Sequence, residues 1–355
     1  MADSVNIARS AASRALFVMA AFVVVCAGLR AGAELVVPFL GAVFLAIVSL
    51  PPLAALHRAG LPKWASLGLV LTVLTAVLVM LGGLLAKGLM GFPQQLPHLQ
   101  AVLLQELNQV ADWLRENGVD IPPEVLKEQL DPTRFIAYMG NVLGTVVTIG
   151  KAVFFVVLTW TFIIAEAAAL PEKLHRAFGA SAADLTRYRG MMQEVQSYLA
   201  FKSGTNVLAA TLVWFSCWLL GTPYAIPIAI FAFFLNYVPV FGPIIAAIPA
   251  ILLTFAVGGW QMAVWMIVFQ IALNVLVGSV VEPRLFGSRF GLSALVVLLS
   301  LVFWGWLLGP VGMFLSVPLT MVTKILLTNS REFRWLGILL GTGHESITAV
   351  PAVKN

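Results

Sequence analysis

Long apolar runs separated by short polar links set the frame of this chain. Runs at 15–29, 35–56, 64–86, 141–165, 205–220 and 260–281 carry few charges, and a helix needs about 20 such residues to cross a bilayer. The pattern predicts a helical crossing in each. The first run follows Arg14, and Ala31-Gly32-Ala33 resembles the small-residue end of a secretory signal. A retained span is expected instead, because a second long run begins at once with Leu35.

Two further runs, 223–257 and 292–327, are too long for one crossing and too short for a full hairpin of about 40 residues plus a turn. Each is interrupted. The stretch NYVPVFGPIIAAIPA holds Pro239, Gly242, Pro243 and Pro249, and the second run holds Gly305, Gly309, Pro310 and Gly312, followed by Pro318. Proline lacks the backbone donor a helix needs and clashes with the preceding turn. Lipid leaves the freed groups unsatisfied, so such breaks require surrounding protein or a water-filled cavity. Paired interrupted segments point to a transporter's substrate path, with ordinary kinked helices as the alternative. The expectation is two re-entrant hairpins whose tips meet within the membrane, lining one shared polar cavity. The Gly-Pro pairs at 242–243 and 309–310, each with a later proline, hint at an internal repeat.

The polar segments give the organisation. Residues 91–140 contain Leu96, Leu99, Leu103, Leu107, Val110 and Leu114 at helical spacing, the stripe of an amphipathic helix. Acids outnumber bases there, which suits an extracytoplasmic helical insert, either a packing cap or a ligand-binding lid. Residues 171–203 are rich in Lys and Arg and read as a cytoplasmic helical loop, and 328–355 as a cytoplasmic tail. The N-terminus then lies in the cytoplasm too. The whole, 1–355, reads as one transmembrane transporter domain. The fold class is an all-α polytopic membrane protein with about six to eight membrane segments, two of them broken or re-entrant, and a polar helical insert.

Composition agrees. Charged residues make up 10% of the chain and hydrophobic residues 60%, against about 25% charged in a soluble domain. Lys and Arg exceed Asp and Glu, 21 to 16, a balance assigned to cytoplasmic loops rather than to nucleic acid. Cys26 and Cys217 both fall within spans, so no disulfide framework is indicated. His57, His98, His175 and His344 are scattered, and no hydrolase or nucleotide-binding motif occurs. Neither enzyme activity nor a cofactor or metal is expected.

A few polar residues stand near the apolar runs. Lys151 is the only deeply placed charge, and Glu166 lies about 22 Å further along a straight helix. Glu282, Arg284 and Arg289 cluster at a span boundary as a candidate gate or ion pair, and Asn274 lies about two turns before Glu282. Asn236, Tyr237, Asn274 and Trp304, with Pro239, Gly242, Pro243, Gly309 and Pro310, form the candidate substrate path: amides, hydroxyls and aromatic walls suit a neutral polyol.

The stretches LNYVPVFGPIIAAIPAIL and NVLVGSVVEPRLFGSRFGLSALVVLLSLVFWGWLLGPVGMFLSVPLT, with Lys324, resemble the autoinducer-2 exporter family of bacterial inner-membrane proteins. The combination of EPR with WGWLLGPVG is the specific part. The resemblance implies export of autoinducer-2, a small boron-binding furanone-type sugar derivative, by a pentameric homo-oligomer. Some relatives are instead assigned sodium or lithium/proton antiport, which would make a monovalent cation the partner. Gly28-xxx-Gly32, Gly140-xxx-Gly144 and Gly305-xxx-Gly309 keep a third reading open, an oligomeric membrane scaffold that transports nothing.

Overall fold

In the computed structural model residues 2–90, 154–166, 173, 182–286, 292–330 and 333–341 are described, with parts of 101–117. They form helices joined by short turns, and no strand occurs among them. Helix α1 covers Ala2–Ala31, α2 Ala33–Arg58 and α3 Lys63–Met90. Phe154–Glu166 is α4. Then come α5 (Ala182–Leu219), α6 (Ala225–Leu235) and α7 (Phe241–Asn274). A π-helical segment, Val275–Val281, leads into α8 (Glu282–Phe286). The chain closes with α9 (Ala294–Phe314), α10 (Ser316–Asn329) and α11 (Arg334–Leu339).

Helices α2 and α3 follow the apolar runs closely, while α1 extends well before the run at 15–29. Gly60, at φ 92, turns α2 back toward α3. Ala42 and Ala46 of α2 let Trp160 and Ile164 of α4 approach, with Leu67, Leu71 and Leu74 of α3 closing the cluster. Trp160 donates its indole N–H to Ser49 Oγ at 3.0 Å, and both side chains are fully buried. Such hydrogen bonds between membrane helices are each worth about 0.6 kcal/mol.

Helix α5 runs across the sequence division. The loop expected at 171–203 and the span expected at 205–220 are continuous from Ala182, a helix of 38 residues. Gly190 and Gly204 lie inside it without strain, since neither has a positive φ.

Helix α6 is short. Its 11 residues rise about 16 Å, roughly half a hydrocarbon core of about 30 Å. Cross-contacts fix its course: beginning beside the C-terminal end of α5, it ends level with the middle of α5, where Asn206 reaches Phe233 O and Ser203 meets Tyr237 OH. After a turn at 236–240, α7 climbs back until Thr254 Oγ1 meets Thr222 Oγ1 at 2.7 Å. Then it reverses. Gly259, at φ 70 and ψ −173, splits α7 into arms 241–258 and 260–274. In a straight helix Pro243 and Gln270 would stand about 40 Å apart, yet they line one cavity. By length and composition alone 241–285 reads as a single 45-residue span; the reversal makes it two.

The second interrupted run behaves alike. Gly309 has φ 69 and ψ −152, a region only glycine occupies readily. The chain reverses there, and Trp304 donates to Thr320 Oγ1 at 2.9 Å, a pair that a straight helix would hold about 24 Å apart. A Cβ on Gly312 would lie 2.0 Å from Trp304 O, so glycine is what allows the arms to touch. The conformational counterpart of Gly309 is therefore Gly259. Gly242 sits in the first turn of α7 without a positive φ, and the shared Gly-Pro pairs are not structural equivalents.

Of the insert, the described part of 101–117 places Trp113 against Trp260, centroids 5.1 Å apart, at the α7 reversal. The leucine stripe itself lies outside the described residues. The tail begins as helix: α10 runs to Asn329, and α11 folds back so that Gly337 packs on Thr328.

Candidate functional site

A cavity of about 550 Å³ lies between α5, the α6–α7 turn, the second arm of α7 and α10. Two helical stripes form its long walls. On α5 the lining residues Tyr198, Lys202, Asn206, Ala209 and Val213 recur every three or four positions, so all face one way. Opposite them, Gln270, Leu273, Asn274, Val277 and Gly278 do the same and continue through the π segment to Glu282. Asn236, Pro239, Val240 and Pro243 close one end, and Val317 of α10 contributes an apolar side.

The walls are joined by charge. Lys202 Nζ stands 2.5 Å from Glu282 Oε1, with the two side chains only 10% and 24% exposed. Thr205 Oγ1 also reaches that carboxylate, at 3.4 Å. Taking charges out of water costs several kcal/mol per ion, roughly offset when the partner is well placed. Glu282 is thereby held to α5 and not to its neighbour: Arg284, two residues on, is about 200° around the helix and exposed. The expected Glu282–Arg284 pairing is corrected on that ground. Arg289 lies outside the described residues.

The amides differ in how far they are used. At the end of α6 the helix tightens, with Tyr237 N bonded to Phe234 O and Val238 N to Leu235 O. That tightening passes over Phe233 O, and Asn206 Nδ2 takes it at 3.2 Å. Asn206 is thus partly structural, capping a carbonyl the helix leaves free. Gln270 donates to Met266 Sδ at 3.7 Å, a weak acceptor. Asn236 is 9% exposed, and its Oδ1 is buried with no hydrogen-bond partner.

The turn holding Asn236 is strained. Phe241 N donates to Pro239 O at 2.7 Å across Val240, whose φ is 65 and ψ −56. This is a positive-φ γ-turn, which is rare and costly, on a β-branched residue that disfavours positive φ strongly. Pro239 and Pro243 themselves cost little: Pro243 lies in the first turn of α7, where the missing N–H has no helical partner to lose. Gly242 is required by contact, because a Cβ there would sit 1.9 Å from Leu235 O.

The structure thus places Asn236, Pro239, Pro243, Asn274 and Glu282 on the cavity wall, and Gly242 behind it. Tyr237 also lies behind the wall, its OH 2.6 Å from Ser203 Oγ and its ring 4.5 Å from Phe314. Through that contact the first break meets the second hairpin. Trp304, Gly309 and Pro310 build the α9–α10 reversal and do not line the cavity. Glu166 pairs with Lys173 in an exposed contact, and Lys151 lies outside the described residues. Sequence reading missed Tyr198, Lys202, Asn206 and Gln270; the four-residue spacing of 198, 202 and 206, and of 270 and 274, was the available signal. Among the described residues no His, Cys, Asp and Glu cluster is suited to a metal.

Residues 16–332 match the family model described as AI-2E family transporter. A putative transport protein of Haemophilus influenzae is 35% identical over 334 residues, covering 92% of this chain and 96% of that protein. The Escherichia coli protein named AI-2 transport protein TqsA is 30% identical over 318 residues, 90% and 92% of the two chains. The putative transport protein YhhT of the same species is 31% identical over 328 residues, 92% and 94%.

Proposed function

We propose, since this chain belongs to the AI-2E family of transporters, that the cavity between α5 and the second arm of α7 is its substrate chamber. The substrate we assign is a small neutral hydroxylated molecule of the autoinducer-2 kind, exported across the bacterial inner membrane. The observation that carries this reading is the lining. Its one Lys and one Glu cancel each other, leaving amides among apolar walls. That is the composition of a site for a polar, uncharged ligand, and its volume of about 550 Å³ falls in the usual range for small-molecule pockets, about 300–1,000 Å³. The name of the TqsA relative, an AI-2 transport protein, agrees with that chemistry.

In this proposal α6 with the first arm of α7, and α9 with α10, are the two re-entrant hairpins. Both termini are cytoplasmic, and the protein works as a homo-oligomer, a pentamer by family resemblance. Large exposed apolar side chains such as Phe17, Leu35 and Trp64 give it faces for lipid and for neighbouring copies.

One observation favours a second reading, Na⁺(Li⁺)/H⁺ antiport: the ion pair is a carboxylate that a cation or a proton would have to win from Lys202. Efflux from liposomes holding purified protein separates the readings. Export of labelled autoinducer-2 without Na⁺ or Li⁺ exchange under an imposed pH gradient supports the first. Cation exchange alone supports the second. A scaffold moves neither, and that result would sink both.

A further inference from the structure

The Asn236 amide has a hydrogen-bonding capacity that the protein leaves unspent. Its side chain is nine-tenths buried on the cavity wall, and its Oδ1 has no partner. A buried acceptor without a partner loses its hydration and gains nothing in return, so native structures rarely tolerate one. Here it stands in a turn already strained at Val240. Strain and an unpaired polar group at one place are the signs of a position held for something other than stability.

Its surroundings say what would satisfy it. Gln270, also on the wall and 4% exposed, is committed only to a thioether. Asn274 lies one turn further along the same stripe. Lys202 and Glu282 are occupied with each other, so the nearest full charges offer no net attraction for an ion. What remains is a row of neutral amides, each able to accept and donate. The partner they fit is a hydroxyl group, which donates one hydrogen bond and accepts others.

We infer that Asn236, which shares the cavity lining with Gln270 and Asn274, is the residue by which the cavity selects a hydroxyl-bearing neutral ligand, its Oδ1 accepting the ligand's O–H. This rests on the substrate-chamber reading above and adds to it the group that discriminates. A site built to pair a substrate hydroxyl rejects an analogue without it far more strongly than an apolar pocket rejects an extra methylene, because the buried partner is then left unpaired.

The sign of a stability change tests this. Asn236→Leu keeps the side-chain size and removes both polar atoms. If the amide is unspent, the purified variant in detergent unfolds at an unchanged Tm or one raised by about 2 °C, while efflux of labelled autoinducer-2 from liposomes falls at least tenfold. Asn236→Ser, which keeps a donor and an acceptor, retains more flux than Asn236→Leu and covers the case in which leucine does not fit. A Tm lowered by about 5 °C or more in both variants makes Asn236 a structural residue and overturns the inference. Unchanged flux in Asn236→Leu overturns it as well. If the unmodified protein moves no autoinducer-2, the substrate reading falls, and the Tm comparison still decides whether the amide is vacant.

Discussion

The bond between Lys202 and Glu282 allows a prediction with a direction and a size. The two are 2.5 Å apart, with Lys202 10% and Glu282 24% exposed. At about 4 Å and an effective dielectric of about 20, unit charges attract by about 4 kcal/mol, and removing one member of a buried pair costs about 3–5 kcal/mol because the other is stranded. The two single variants are not equivalent. Glu282→Gln strands the ammonium of the more buried partner, whereas Lys202→Met leaves a carboxylate that keeps some water and the hydroxyl of Thr205. The expected costs are about 3 kcal/mol for Glu282→Gln and about 2 kcal/mol for Lys202→Met. The double variant, with no charge left to strand, should lie within about 1 kcal/mol of the unmodified protein. Unfolding of the four proteins in one detergent gives the cycle, and a coupling of about 2 kcal/mol or more is the expected result. Arg284→Gln is the control and should cost less than about 0.5 kcal/mol, as exposed positions do. Single effects that add to within about 0.5 kcal/mol, or an Arg284→Gln cost equal to that of Lys202→Met, would refute the reasoning.

Three further outcomes are expected. Alanine at Gly242 or Gly312 should prevent normal assembly, since each Cβ would overlap a backbone oxygen, at 1.9 and 2.0 Å; Gly309→Ala, where nothing lies within 4 Å, should cost only the backbone strain of a conformation that glycine alone adopts readily, about 1–3 kcal/mol, and size-exclusion profiles with thermal melts rank the three. Val240→Gly should raise Tm by releasing the strained γ-turn and should alter flux, and a lowered Tm would show that the turn is not under strain. Arg284→Cys, in a background with Cys26 and Cys217 replaced by serine, should react with a membrane-impermeant thiol reagent only once the cytoplasmic face is opened; labelling in intact spheroplasts would reverse the topology proposed for both hairpins.

The sequence was most informative where composition acts over whole segments. The apolar runs at 35–56 and 64–86 appear as α2 and α3 with boundaries within about four residues, and the run at 15–29 as the C-terminal half of the longer α1, because burial in lipid depends on the sum of a window and not on any one side chain. Breakers at 239–243 and 309–312 marked real departures from straight helix, but not what kind. Gly309 reverses the chain, Gly242 only permits close approach, and Gly259, with no proline after it, reverses the chain as fully as Gly309. A φ value is decided by what the following segment packs against, and a linear string does not contain that. Lys202 was read as one more cytoplasmic cation because its run is basic. Its partner lies 80 residues away, and only the return of α7 along α5 brings them together.

The placement of Glu282 depends on the winding of the segment before it. Counting two α-helical turns from Asn274 puts Glu282 about 80° to one side of it. The intervening segment is instead a π-helix of 7 residues, whose wider turn changes the angle between the two, so a count of α-helical turns does not place Glu282. Glu282 meets Lys202. The residues of the segment explain why it yields: Val275, Val277, Val280 and Val281 are β-branched and among the weaker helix formers, and Gly278 offers no side chain to hold the narrower winding. Single π turns gather at functional sites. Around this one, one continuous helical stretch presents Gln270 and Asn274 to the cavity and its terminal carboxylate to the lysine across from it.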